Sequence, residues 1–160
     1  MPRYSLDSDV FIQAKNGPYG FDIMPNFWEW LEAEFAEGTI CISRAVHDEL
    51  TAGDDELAGW AKKLKGKFII DPDEATQKIY QQVADHVNKK YERHHVALFL
   101  GGADPWVIAQ ARKDGATVVT HETLQPESKR IKIPNVCKQF DVKTINPYEM
   151  MRQLGFKGSK

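Results

Sequence analysis

Two aspartates in SLDSDVFI, residues 5 to 12, stand where a short apolar run gives out, and three further acids hold comparable positions downstream. Asp7 closes the run 4–6, and Glu49 lies in the helical pattern after the β-branched stretch TICIS (39–43). Asp104 stands before Pro105 at the start of another helical pattern, and Glu122 follows the apolar run 116–120. If those runs are strands of one parallel sheet, Asp7, Glu49, Asp104 and Glu122 converge on its carboxyl edge, where such sheets place their sites. Gathered carboxylates repel one another and resist ionising together, so the group calls for a cation. Oxygen-only donors select Mg²⁺ or Mn²⁺ over zinc, and no His/Cys set at zinc spacing competes. One or two such ions can activate water and stabilise a phosphodiester oxyanion, which points to in-line hydrolysis. Taken singly, each acid has a plainer role: Asp7 and Asp104 as helix caps, Glu49 as a solvated helix position. The joint placement is what argues for a site.

The elements that must position these acids follow from hydrophobic periodicity. Residues 4 to 6 predict a strand ending near Asp7 or Asp9 and turning into a short helix, followed by a loop around Gly17, Pro18 and Gly20. Pro25 opens a helix whose Phe27, Leu31 and Phe35 share one face, and Gly38 stops it. A strand over 39–43 leads through Ser43 as cap into a helix with Val46, Glu49 and Leu50; a further helix carries Leu57, Trp60 and Leu64. A third strand over 67–70 precedes one long helix from Asp73 along Ile79, Val83, Val87 and Tyr91, interrupted only at Gly101 and Gly102. Asp104-Pro105 is read as N-cap and first helical residue, with the helix ending at Gly115. A strand over 116–120 runs into His121-Glu122; TLQPESKRIKIPN (123–135) is a polar, basic loop, a fifth strand lies near 142–145, and Asn146-Pro147 starts a closing helix that ends at Gly155. Alternation of this kind predicts right-handed crossovers and a three-layer α/β/α sandwich on a mainly parallel sheet of about five strands.

Length and composition bound the rest. The chain's 160 residues predict a single domain over 1–160. With 21 basic and 23 acidic residues the formal net charge is −2, so any nucleic-acid partner must be met by a local patch. Three patches qualify: Lys62, Lys63, Lys65 and Lys67; Lys89, Lys90 and Arg93; and Lys129, Arg130 and Lys132. The first two have the spacing of wet helix faces, whereas the third sits in the long loop beside Glu122 and is the RNA-binding candidate. Cys41 and Cys137 have no C-x-x-C spacing and read as buried, reduced thiols. No run has signal-peptide or membrane-spanning length, so the expected location is cytoplasmic.

These stretches resemble the signatures of PIN-type nuclease domains. SLDSDVFI is similar to that family's apolar-apolar-Asp-Thr/Ser opening, ISRAVHDEL to its Ser-Pro-x-apolar-x-x-Glu-Leu segment, GADPWVIAQAR to its Asp-led Ala-rich helix, and VVTHE to its apolar-apolar-Thr-x-Asp end. Arg44 stands where Pro is frequent, Asp9 where Asn or Ser is common, and Glu122 where Asp is usual; the IPNVC segment resembles a less studied bacterial PIN-like subfamily more than the VapC-like toxins. The resemblance implies a PIN-like α/β/α fold and a Mg²⁺- or Mn²⁺-dependent endoribonuclease, with Asp7, Glu49, Asp104 and Glu122 as metal-binding catalytic acids. It further implies Ser8, Asp9, Ser43 and Thr120 as their supports, frequent homodimers, and a toxin role neutralised by a cognate antitoxin.

Two alternatives stay open at this point. Asp7 and Asp9 also resemble the Asp-x-Asp of haloacid-dehalogenase-like phosphatases, in which the first Asp is nucleophile and the second an acid/base. A PIN-like fold can also serve as a non-catalytic binding scaffold.

Overall fold

A computed structural model of the chain describes residues 3–158. Five short strands, β1 (Tyr4–Leu6), β2 (Ile40–Ser43), β3 (Ile69–Ile70), β4 (Thr117–Val119) and β5 (Thr144–Ile145), pair in the order β3-β2-β1-β4-β5. Every pairing is parallel, with Tyr4 opposite Ile40 and Leu6 opposite Val119 at the centre. Parallel strands covered on both faces have no wet side, and β1 is accordingly buried at Tyr4, Ser5 and Leu6 alike.

The helices follow the crossovers. Between β1 and β3 come α1 (Ser8–Asn16), α2 (Pro25–Glu37), α3 (Arg44–Thr51) and α4 (Glu56–Lys63). Between β3 and β5 come α5 (Glu74–Lys90), α6 (Arg93–Leu100), α7 (Asp104–Asp114) and α8 (Ile133–Gln139), and α9 (Pro147–Leu154) closes the chain. Because the chain moves outward one way from β1 to β3 and the other way from β3 to β5, right-handed connections put the two groups on opposite faces. Contacts agree: α1 packs on α3 and α4, and α7 packs on α5, α6 and α8. The expected three-layer α/β/α sandwich is therefore what forms.

Leu6, Phe11, Leu31, Phe35, Ile42 and Ile108 are fully buried between these layers, each such side chain contributing roughly 1.5–3 kcal/mol by leaving water. Phe11 stacks on Phe35 at 6.4 Å, and Trp60 meets Trp28 edge-on at 4.8 Å, so most of the aromatic residues of α1, α2 and α4 are core. Gly38 ends α2 at φ 80°, a left-handed position that a side chain would strain. Both cysteines are buried and free. No helix among the described residues is long and apolar enough to cross a membrane.

Three expectations need correction. The long helix from Asp73 is two helices, broken at Tyr91 and Glu92, both extended. At about 1.5 Å per residue, α5 alone already spans about 26 Å, roughly the width of a small domain; only a turn returns Val96 and Phe99 to the core. The N-cap of α7 is Ala103, so Asp104 and Pro105 lie one position further inside the helix than the Asp-Pro signature suggests. The polar loop is shorter than 123–135, because Ile133-Pro134-Asn135 is the first turn of α8, with Ile133, Val136 and Cys137 buried at helical spacing.

Candidate active site

Asp7 takes its place from β1. Its N–H pairs with the Val119 carbonyl at 3.0 Å, which extends the central ladder by one step and fixes the side chain at the carboxyl edge. Although Asp7 is the N-cap residue of α1, its carboxylate makes no capping bond; the plain role open to it is not the one it plays. It is only 4% exposed. The Thr120 hydroxyl lies 2.9 Å from Asp7 Oδ2 and 3.2 Å from Asp9 Oδ2 and has one hydrogen to donate between them. Asp9, in the first turn of α1, also accepts the His121 N–H, 3.3 Å from each of its oxygens.

Glu49 projects from α3, whose first turn is capped by the Ser43 hydroxyl accepting the Val46 N–H at 3.3 Å. Ser43 thus holds the helix that carries Glu49. The Glu49 carboxylate bridges two other elements: Ser8 donates to Oε1 at 2.6 Å, and the Ala103 N–H donates to Oε2 at 3.2 Å. That places Glu49 beside the start of α7 and hence beside Asp104. Glu122 follows β4, and its extra methylene lets Oε1 accept the Ile133 N–H at 2.7 Å, at the N-terminus of α8. The Glu122 N–H donates in turn to Thr120 Oγ1 at 3.1 Å.

Electrostatics tie the acids into one group. Burial first, then the charges of Asp9 and Asp104, raise the Asp7 carboxyl well above its ordinary range, and the Thr120 hydrogen bond offsets only part of this. Burial, followed by the charges of Glu122, Glu49 and Asp9, pushes Asp104 up to about 7. Among the described residues, none of Asp7, Asp9, Glu49, Asp104 or Glu122 joins an ion pair. Five carboxylates thus share one rim without an ion-paired cation among the described residues. A donor set of oxygens alone, uncompensated in charge, fits a hard divalent ion such as Mg²⁺ or Mn²⁺.

Of the basic candidates, the first patch is only partly a helix face, since Lys65 and Lys67 lie in the connection between α4 and β3. Lys129 and Arg130 are exposed in the segment between Glu122 and α8, both ends of which are joined by the Glu122–Ile133 bond, and Lys132 is the half-buried N-cap of α8. Lys62 and Lys63 lie in the last turn of α4 and Lys89 and Lys90 in that of α5, all solvated. A separate group with metal-ligand atoms within 4.8 Å of one another, Glu92, His94 and His95, marks the α5–α6 turn. The sequence carries no local signal for the partners of Asp9 and Glu49, because their donors, His121 and Ala103, are remote in the chain.

A family described as "Domain of unknown function (DUF4411)" matches residues 4–158. The chain belongs to that family. Among solved structures, the DUF4411 chain is similar to VapBC2 from Rickettsia felis bound to a DNA fragment from their promoter, at 19% identity and a TM-score of 0.54, covering 89% of this chain and 97% of that one. It is also similar to FitAcB from Neisseria gonorrhoeae, at 19% identity and a TM-score of 0.56, covering 91% of this chain and 98% of that one. At such identity the likeness is one of fold, and the fold is PIN-like. A search of curated proteins finds no match.

Proposed function

We propose that this DUF4411 chain is a metal-dependent endoribonuclease that hydrolyses RNA phosphodiester bonds, acting as the toxin of a bacterial or archaeal toxin-antitoxin pair. The observation that carries the reading is the rim of acids with no cationic partner among the described residues: at the carboxyl edge of a PIN-like sheet, Asp7 is raised by burial and the charges of Asp9 and Asp104, and Asp104 by burial and the charges of Glu122, Glu49 and Asp9. Asp7, Glu49, Asp104 and Glu122 are the residues that would hold one or two Mg²⁺ or Mn²⁺ ions. When bound, such ions supply Lewis-acid stabilisation of the developing oxyanion and a more acidic water.

The chain's own groups have distinct tasks in this reading. Thr120 and the His121 N–H orient Asp7 and Asp9, Ser8 orients Glu49, and Ser43 holds the helix beneath it. Lys129, Arg130 and Lys132 contact RNA phosphates flanking the cut, which local positive charge allows despite the net charge of −2. A cognate antitoxin and a homodimer are the partners this reading expects, supported by the PIN-like resemblance and the similarity to the VapBC2 structure.

A haloacid-dehalogenase-like phosphatase would use Asp7 as nucleophile and Asp9 as acid/base, and turnover of p-nitrophenyl phosphate that is lost in Asp9→Ala would favour that reading. A scaffold reading predicts no response to metal. The test is cleavage of labelled RNA by purified protein with Mn²⁺ beside Asp7→Asn. The nuclease reading requires activity in the native protein and its loss in the variant; equal cleavage by both would remove the assignment from this rim.

A further inference from the structure

A cavity of about 340 Å³ opens beside the acids, between α1, His121 two residues beyond β4, and α9. That volume is within the range of about 300–1,000 Å³ in which small-molecule groups are held. Its floor is apolar and buried, formed by Val10, Phe27 and Met151. Its walls include the His121 ring and the Tyr148 ring, set nearly edge-to-face with centroids 6.1 Å apart and an interplanar angle of 71°. Gln13 and Asn16, both exposed on α1, are also among the lining residues.

The cavity and the acid rim are built from adjoining residues. Val10 follows Asp9 in α1, and His121 follows Thr120 and gives its N–H to Asp9. The lining contains no aspartate, glutamate, lysine or arginine, and His121 is its one titratable side chain besides the tyrosines, so the cavity suits a neutral ring better than a phosphate or a charged peptide side chain. Aromatic walls, an apolar floor and two amide-bearing residues in the lining suit a flat heteroaromatic ring with a hydrogen-bonding edge. Unstacked bases of single-stranded RNA are held in this way, by stacking on aromatic side chains and hydrogen bonds to their edges.

We propose that this cavity binds one nucleobase of the substrate strand, next to the phosphodiester presented to the acids, and so determines which nucleotide is read at the cut. The proposal rests on the nuclease reading above and names a part of the molecule that reading does not use. Tyr148 is the discriminating residue because it is 42% exposed and its ring can be removed without opening the core.

The test separates base binding from catalysis. Saturation transfer from metal-free, full-length protein to the four free ribonucleosides at millimolar concentration should give a signal for at least one. The signal should be lost in Tyr148→Ala and kept in Tyr148→Phe; deoxynucleosides report whether the sugar contributes. In Mn²⁺-dependent cleavage of single-stranded RNA, Tyr148→Ala should raise KM about tenfold with kcat little changed, the loss expected for one stacked base. One abasic position in the strand should reproduce that rise in the native protein and add nothing to it in the variant. Absence of any nucleoside signal, or a signal and a KM indifferent to Tyr148→Ala, overturns the pocket while native cleavage leaves the nuclease reading standing. A nucleoside signal in a protein that cleaves nothing overturns the nuclease reading and keeps the pocket. A KM change of equal size wherever the abasic position is placed contradicts the base as occupant.

Discussion

Acids of the same type behave in opposite ways at two places in this molecule. On the outer surface Asp55 meets Lys15 at 2.9 Å, Asp71 meets Arg44 at 2.8 Å, and Asp73 meets Lys113 at 3.0 Å. Hydrogen bonding to Lys15 and to Arg44 draws Asp55 and Asp71 below the usual range, and the Thr76 N–H, with Lys113, brings Asp73 down to about 2. At the sheet edge the order is reversed: Asp7 and Asp104 are buried, face other acids, and are pushed upward. The fold has lysines and arginines and uses them elsewhere. A rim that forgoes them is poorly stabilised by itself and well prepared for a cation from outside.

The largest effect expected from breaking this contrast is at Asp7. Asp7→Asn should lower Mn²⁺-dependent RNA cleavage by more than about 100-fold, exceeding the 10–100-fold typical of losing an outer partner, while raising the thermal midpoint of metal-free protein by relieving repulsion. A gain of stability without loss of activity would sever the rim from the chemistry.

Ser8→Ala sharpens the comparison at one remove. It frees the Glu49 carboxylate from a 2.6 Å hydrogen bond and should weaken Mn²⁺ affinity about tenfold, read by calorimetry. Neutralising Lys129 and Arg130 together should leave metal affinity intact, weaken RNA binding and flatten its dependence on salt; an unchanged slope would count against the loop. Asp73→Ala, which removes the cap of α5 from Thr76, should lower the thermal midpoint slightly and leave cleavage alone. A paired surface acid that mattered to cleavage would erase the distinction between the two classes.

Proton linkage separates the classes without a functional assay. A carboxyl raised in the folded state contributes stability that is present below its unfolded value of 3.8 and is lost as pH climbs to about 7. Metal-free protein should therefore lose stability across that window, and Asp104→Asn should flatten the decline. A decline identical in both proteins would place the raised proton elsewhere.

Much of the frame was legible because its signals are local. Pro25 and Gly38 bound α2, and Asn146 builds the capping box of α9 with Glu149. Asp7 and Glu122 stand at strand ends that short apolar runs announce. The α5–α6 break was not legible, since Ile79, Val83, Val87 and Tyr91 continue one periodicity and only the limited width of the domain demands the turn. The face Ile133, Val136, Cys137 was readable, but Pro134-Asn135 resembles a turn as closely as a first helical turn. Contacts such as Ser8 with Glu49, or His121 with Asp9, join residues dozens of positions apart and exist only once the sheet has formed.

The most direct measurement is calorimetric titration of Mn²⁺ into full-length protein at pH 7, repeated in buffers of different ionisation enthalpy. The account predicts binding that releases protons, because Asp104 is still partly protonated there, with both binding and release diminished in Asp104→Asn. Heat indistinguishable from dilution at millimolar Mn²⁺, or binding that Asp104→Asn leaves untouched, would contradict it.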